Sequence, residues 1–211
     1  MTSVQWVIFD LGGIVVPETT DSIIAQVAAE AGLSPERLRG ALMLYYDEAI
    51  KGKRTLLQVY RSVVRDLGLK ASPPEILNRH LTLYRQMSTQ YDPDTVALMK
   101  RLQAGHSLAC LTNTEPEIAD ISKQRGLFNY FDRSYLSIEL GLKKPDPEIF
   151  AAVLLDLGCG PGEVVFIDDR KENVEGAISV GMNALQFRCV DQIERELSEF
   201  CPVLRRLRNR N

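Results

Sequence analysis

The sequence predicts an α/β protein: a parallel-sheet core with a small helical domain inserted after its first strand. Three observations lead there. A hydrophobic run from Val4 to Phe9, broken only by Gln5, ends in Asp10-Leu11-Gly12-Gly13, a strand running into a glycine turn. Between Val16 and Met87 nothing reads as a strand, while helix signals recur. From Asp92 onward helix and strand patterns alternate, as they do when successive βα units build a parallel sheet.

After the glycine turn, Ile14, Val15 and Val16 give way at Thr19-Thr20-Asp21 to a helical pattern that runs to Gly32. Ser34-Pro35-Glu36 restarts it. Serine caps a helix through its hydroxyl, and proline at the first helical position lacks only an N–H that would have no partner there. Further helical patterns cover Thr55 to Leu67 and, behind Ser72-Pro73-Pro74, Glu75 to about Met87. A helix from Asp92 to Gln103 leads into strand 106–112, helix 116–125, strand 133–137, helix 147–157, strand 163–168, helix 171–180 and strand 183–187. Gly158-Cys159-Gly160-Pro161-Gly162 looks like a nucleotide loop, yet it follows a helix and precedes a strand, the reverse of the dinucleotide-binding order. It is read as a helix-terminating turn. These patterns divide the chain into a core, 1–16 and 88–211, and a helical insertion, 17–87, that would sit above the strand ends.

Across 211 residues, 25 Lys and Arg against 28 Asp and Glu leave a formal charge of -3, which argues against a broad basic footprint for nucleic acid. Arg205, Arg206, Arg208 and Arg210 are the one basic cluster, read as a solvated helix end or tail. Cys110, Cys159, Cys189 and Cys201 include no CxxC pair, and His106 near Cys110 does not complete a zinc set. They are expected to be free thiols of a reducing compartment. No apolar stretch approaches the roughly 20 residues of a membrane span, and Val4–Phe9 is too short for a signal-peptide core. A cytoplasmic location is the expectation, and nothing here speaks to oligomeric state.

In open parallel sheets ligands bind just outside the carboxyl ends of the strands. Asp10 stands at such an end. Three other strand or loop ends carry polar chemistry: Thr112-Asn113 after Ser107–Leu111, Gly141-Leu142-Lys143-Lys144-Pro145, and Asp168-Asp169 after Val164–Ile167. A hydroxyl, an ammonium and paired acids would then converge on Asp10.

In order and spacing these four segments resemble the motifs of the haloacid dehalogenase-like (HAD) superfamily, over nearly the whole chain. The resemblance implies a Rossmann-like sheet with a helical cap that closes over the active site. It implies that Asp10 is a nucleophile that forms an aspartyl-phosphate, that Thr112 and Asn113 anchor the phosphate, and that Lys144 bridges nucleophile and phosphate. Lys143 is read as solvated and Asp146-Pro147 as a helix cap. It further implies a Mg²⁺ ion held by Asp10, the Gly12 carbonyl and Asp169, with Asp168 joining it or acting on a bound water and Asn173 assisting. Oxygen donors with one or two carboxylates suit this hard ion. The substrate so implied is a small phosphate ester, with neither nucleic acid nor membrane as a partner.

Gly12 departs from the pattern of the phosphatases in this superfamily, which place an aspartate two residues after the nucleophile as general acid and then base. Losing that group could cost on the order of 10²–10⁴ in rate for a leaving group that needs a proton. The Phe-Asp-Leu-Gly form, with Tyr135-Leu136-Ser137 and Glu139-Leu140-Gly141-Leu142 before Lys144-Pro145, nonetheless resembles a subgroup related to bacterial sugar-1-phosphate phosphatases and to the N-terminal phosphatase domain of epoxide hydrolases. The leading expectation is therefore a Mg²⁺-dependent phosphatase of a small metabolite, with a sugar phosphate as one candidate. Two alternatives stay open. One is a non-catalytic phosphate-binding protein, supported by Gly12; the other is a 2-haloacid dehalogenase, against which the Asp168-Asp169 pair argues. In the insertion, Tyr45, Tyr46, Lys51, Lys53 and Arg54 are each read as core or surface residues before ligand contacts.

Overall fold

Alternation of side chains along the strands builds two cores on either side of one sheet. In this computed structural model, which describes residues 3–204, the sheet contains β1 (Trp6–Phe9), β2 (Ser107–Thr112), β3 (Arg133–Leu136), β4 (Val164–Asp168) and β5 (Asn183–Gln186). All neighbours are parallel, in the order β3-β2-β1-β4-β5. Val7 and Phe9 turn to one face with Leu108, Cys110, Val165 and Ile167. Ile8 turns to the other with Ala109, Leu111 and Phe166. Both faces of β1 are sealed, which is why the strand reads as a continuous apolar run.

Helices cover each face. α5 (Pro93–Leu102) brings Leu98, Met99 and Leu102 to the first core, joined by Ile193 and Leu197 from α10 (Val190–Phe200). α8 (Pro147–Leu157) and α9 (Lys171–Ser179) bring Ile149, Phe150, Val153 and Ala177 to the second. α6 (Pro116–Gln124) and the short α7 (Ser137–Leu140) complete the core helices. The expected strands and helices of this region are present. α10 and α7 are additions, as are the 3-10 turns Leu127–Tyr130 and Pro161–Glu163. Gly158 ends α8 in the left-handed conformation, at φ 64°, so the glycine-rich run is a helix stop. The arginine cluster 205–210 lies outside the described residues.

The segment between β1 and α5 folds into α1 (Thr20–Glu30), α2 (Pro35–Ile50), α3 (Leu56–Leu67) and α4 (Pro73–Met87). Ser34 accepts from Arg37 N at 3.3 Å to cap α2, and Thr55 with Gln58 forms a reciprocal capping box on α3. The four helices share their own core of Ile23, Val27, Leu38, Val59, Tyr60, Val63 and Leu83. This bundle is pinned to the sheet domain by polar contacts. Glu117 of α6 accepts from Leu56 N and Leu57 N at 3.0 and 3.3 Å, satisfying the open N-terminus of α3. Lys143 pairs with Asp47, and Lys51 lies 3.7 Å from Asp146. Gly52 rests on the main chain of Ile138, where a Cβ would stand 2.6 Å from the carbonyl oxygen.

Among the described residues no helix is long and apolar enough to cross a membrane. All four cysteines are free thiols, and the His106 ring contacts the carbonyl of Val4.

Candidate active site

The strand order decides which ends meet. β1 lies between β2 and β4, with Phe9 level with Cys110 and Ile167, so Asp10 emerges between the ends of those two strands. Asp10 N donates to Ile167 O at 2.8 Å, carrying the sheet pattern one residue further. Asp10, Asp168 and Asp169 each present an oxygen within 4.8 Å of the others.

Lys144 joins them. Its ammonium lies 2.8 Å from Asp10 Oδ1 and 2.7 Å from Asp168 Oδ2, with the lysine side chain almost wholly buried. Two more donors reach Asp168: Arg170 N and Asn173 Nδ2, each 2.9 Å from Oδ1. Asp168 is thus fully engaged by the protein. Asp169 differs, for among the described residues no side chain donates to its carboxylate, which faces the cleft next to Asp10. Gly13, at φ 73°, makes room for it, because a Cβ there would stand 2.5 Å from Asp169 Oδ2.

The electrostatics follow from this arrangement. Burial pushes the Asp10 carboxyl up to about 6, against the pull of Lys144 and with Asp168 adding repulsion. Burial also raises Asp169, with the charge of Asp168 working the same way. Burial opposes the charge on Lys144, but Asp10 and Asp168 outweigh it and hold the ammonium above the ordinary lysine range. Three carboxylates and one ammonium leave an excess of negative charge at a partly desolvated point. Hard oxygen donors with one uncommitted carboxylate suit a divalent cation such as Mg²⁺.

Thr112 and Asn113 stand at the end of β2, and both line the same cleft. Their side chains differ in use. The Asn113 amide donates to Lys144 O and accepts from Lys144 N, both at 2.9 Å, so it clamps the main chain that carries the ammonium. The side chain of Asn113 is therefore committed to Lys144, and the phosphate-anchoring expectation for this pair rests on the Thr112 hydroxyl and the neighbouring backbone N–H. Thr112 keeps its hydroxyl at the cleft wall.

The cleft holds about 670 Å³, large enough for a small metabolite. Its roof comes from the helical bundle: Arg39, Met43, Tyr46, His80 and Tyr84. Of the five bundle residues considered from sequence, Tyr46 alone lines it. Tyr45 hydrogen-bonds Asp66 under the guanidinium of Arg54, while Lys51 pairs with Asp47 at 3.3 Å. Glu115 and Glu18, which the sequence did not single out, also face the cleft. Burial pushes Glu115 up to about 7, with Tyr46 hydrogen-bonding its charged form and Glu117 and Glu18 repelling it. The same carboxylate drives the Tyr46 hydroxyl well above the ordinary phenol range. Burial pushes His80 down to about 4, so its imidazole is neutral and bonded to Tyr60 at 2.8 Å. A second cleft of about 590 Å³, beside Tyr91 and Phe187, does not reach Asp10.

The family model for haloacid dehalogenase-like hydrolases matches residues 4–181. The chain belongs to this family. Among its relatives, the flavin mononucleotide hydrolase 1 of Arabidopsis thaliana is 40% identical over 70 residues, 33% of this chain and 29% of that protein. The chain therefore spans less than a third of that relative. The D-ribitol-5-phosphate phosphatase of Bacteroides thetaiotaomicron is 26% identical over 193 residues, 85% of this chain and 90% of that one. A HAD enzyme of the same bacterium, solved with magnesium and inorganic phosphate, superimposes with a TM-score of 0.73 at 21% identity, over 88% of this chain and 95% of that one. At that identity the likeness establishes the HAD fold.

Proposed function

We propose that this HAD hydrolase is a Mg²⁺-dependent phosphatase of a small phosphorylated metabolite that works through an aspartyl-phosphate on Asp10. The observation that carries this reading is the buried Asp10–Lys144–Asp168 chain with the uncommitted Asp169 carboxylate beside it. In this reading Asp10, the Gly12 carbonyl and Asp169 hold the ion, and Asp168 fixes Lys144. When bound, the ion supplies charge neutralisation for a phosphate dianion brought up to carboxylates.

The chain's own groups do the rest. Asp10 presents a carboxylate oxygen to phosphorus, and it needs to be ionised to attack; Lys144 favours that state. The same ammonium neutralises phosphoryl oxygen charge, and the Thr112 hydroxyl donates to the phosphoryl group without adding charge. In this reading the roof of the cleft contacts the leaving group. Its polar groups, Arg39, Tyr46, His80 and Tyr84, together with Glu115 of the sheet domain, suit a hydroxyl-rich leaving group, and a sugar phosphate is the class that fits. The free carboxylate of Asp169 weighs against a metal-free dehalogenase.

The test is a screen of phosphate monoesters, sugar phosphates included, with Mg²⁺ and with EDTA. Turnover with Mg²⁺ and none with EDTA is expected, and Asp10→Asn should remove it while leaving the fold intact. Turnover by Asp10→Asn near that of the parent protein would mean that water attacks in place of Asp10.

A further inference from the structure

We infer that Glu18 takes the general acid and base role that Gly12 leaves vacant. The inference rests on the phosphatase reading above. It starts from one distance. A Cβ built on Gly12 meets a single atom within 4 Å outside its chain neighbours, Glu18 Oε2, at 3.6 Å. An aspartate carries its carboxylate oxygens two bonds beyond its Cβ, so the Glu18 carboxyl reaches toward the space that an aspartate at this position would use. Glu18 lies on the short strap between Val16 and α1, and it lines the cleft with Asp10, Thr112, Lys144 and Asp169. Its other oxygen, Oε1, accepts from Thr20 N at 2.8 Å, which holds the carboxyl in place while Oε2 stays on the side of Gly12. Asp169, Glu115 and Tyr46 line the same cleft as Glu18.

The two steps balance as follows. An Asp10 oxygen bonds to phosphorus as the bond from phosphorus to the leaving oxygen breaks, and the Glu18 proton passes to that oxygen, so a neutral alcohol departs. Water then gives a proton to the Glu18 carboxylate while its oxygen bonds to phosphorus and the bond to Asp10 breaks. Phosphate leaves, Asp10 is again a carboxylate and Glu18 again an acid.

Glu18→Gln separates chemistry from structure, because the amide oxygen still accepts from Thr20 N but cannot hand over a proton. Gly12→Asp supplies the missing carboxyl directly, at a glycine whose φ is not positive. The experiment measures kcat/KM, which reports phosphoenzyme formation, for alkyl and nitrophenyl phosphates with Mg²⁺ in the parent, Glu18→Gln and Gly12→Asp/Glu18→Gln proteins. Glu18→Gln should lose about 10²–10⁴-fold on alkyl esters. It should lose less than tenfold on the nitrophenyl ester, and the double variant should recover the alkyl activity. Equal losses on both esters, or no loss on the alkyl ester, would overturn the role of Glu18 and leave the phosphatase reading standing. No turnover of any ester by the parent protein would overturn both.

Discussion

Lys144 Nζ lies 2.8 Å from Asp10 Oδ1, and both side chains are nearly sealed from water. A pair so placed is costly to break from one side, because the carboxylate left behind is buried without its counter-charge, a loss of about 3–5 kcal/mol. Lys144→Met should therefore be destabilised by that order and inactive. Without the ammonium, burial raises Asp10 unopposed, so the folded state binds more protons than the unfolded one. Its stability then falls as pH rises. Urea titrations at pH 5 and pH 8 should show the larger deficit at pH 8. A deficit of the same size at both would mean that lost packing, not charge, is responsible.

Asp169 carries the metal prediction. Its carboxylate takes no side-chain donor among the described residues, while Asp168 accepts from Lys144, Arg170 N and Asn173. A ligand that binds only the folded state stabilises it by about 2.7 kcal/mol at a hundredfold excess over Kd. Mg²⁺ should raise the thermal midpoint of the parent protein, and Asp169→Asn should remove most of that rise. If the parent midpoint does not move with Mg²⁺, these acids are not a metal site.

Much of this arrangement is legible in the sequence. Strands β1, β2 and β4 announce themselves by apolar runs, and Asp10, Lys144 and Asp168 stand at strand or loop ends where a parallel sheet gathers its chemistry. Helix α10 escaped because Cys189 offers no side-chain cap, although Val190, Ile193 and Leu197 keep a helical period. The side-chain partner of Asn113 is not legible in the sequence, because the main chain of Lys144 is 31 residues away and no local pattern encodes that contact. Glu18 and Glu115 escaped for a related reason. Each sits beside a helix start, where an acid has an ordinary explanation, and only the closing of the helical bundle over the sheet turns them toward one cleft.

Glu115 gives a prediction with a definite sign. Its folded pKa is raised from 4.5 to about 7, chiefly by burial, so the folded state holds a proton that the unfolded chain releases. Stability from this group is full below about 4.5, declines through the window to about 7, and stays low above it. Glu115→Gln cannot ionise, and its amide oxygen still accepts from Tyr46. At pH 8 the variant should be more stable than the parent by on the order of 1–3 kcal/mol, with the gap closing as pH falls and gone by pH 4. Urea midpoints across this range would read it. A variant less stable than its parent at pH 8 would mean that the ionised Glu115 is held by contacts stronger than its burial penalty, and that its carboxylate, not its acid form, faces the leaving group.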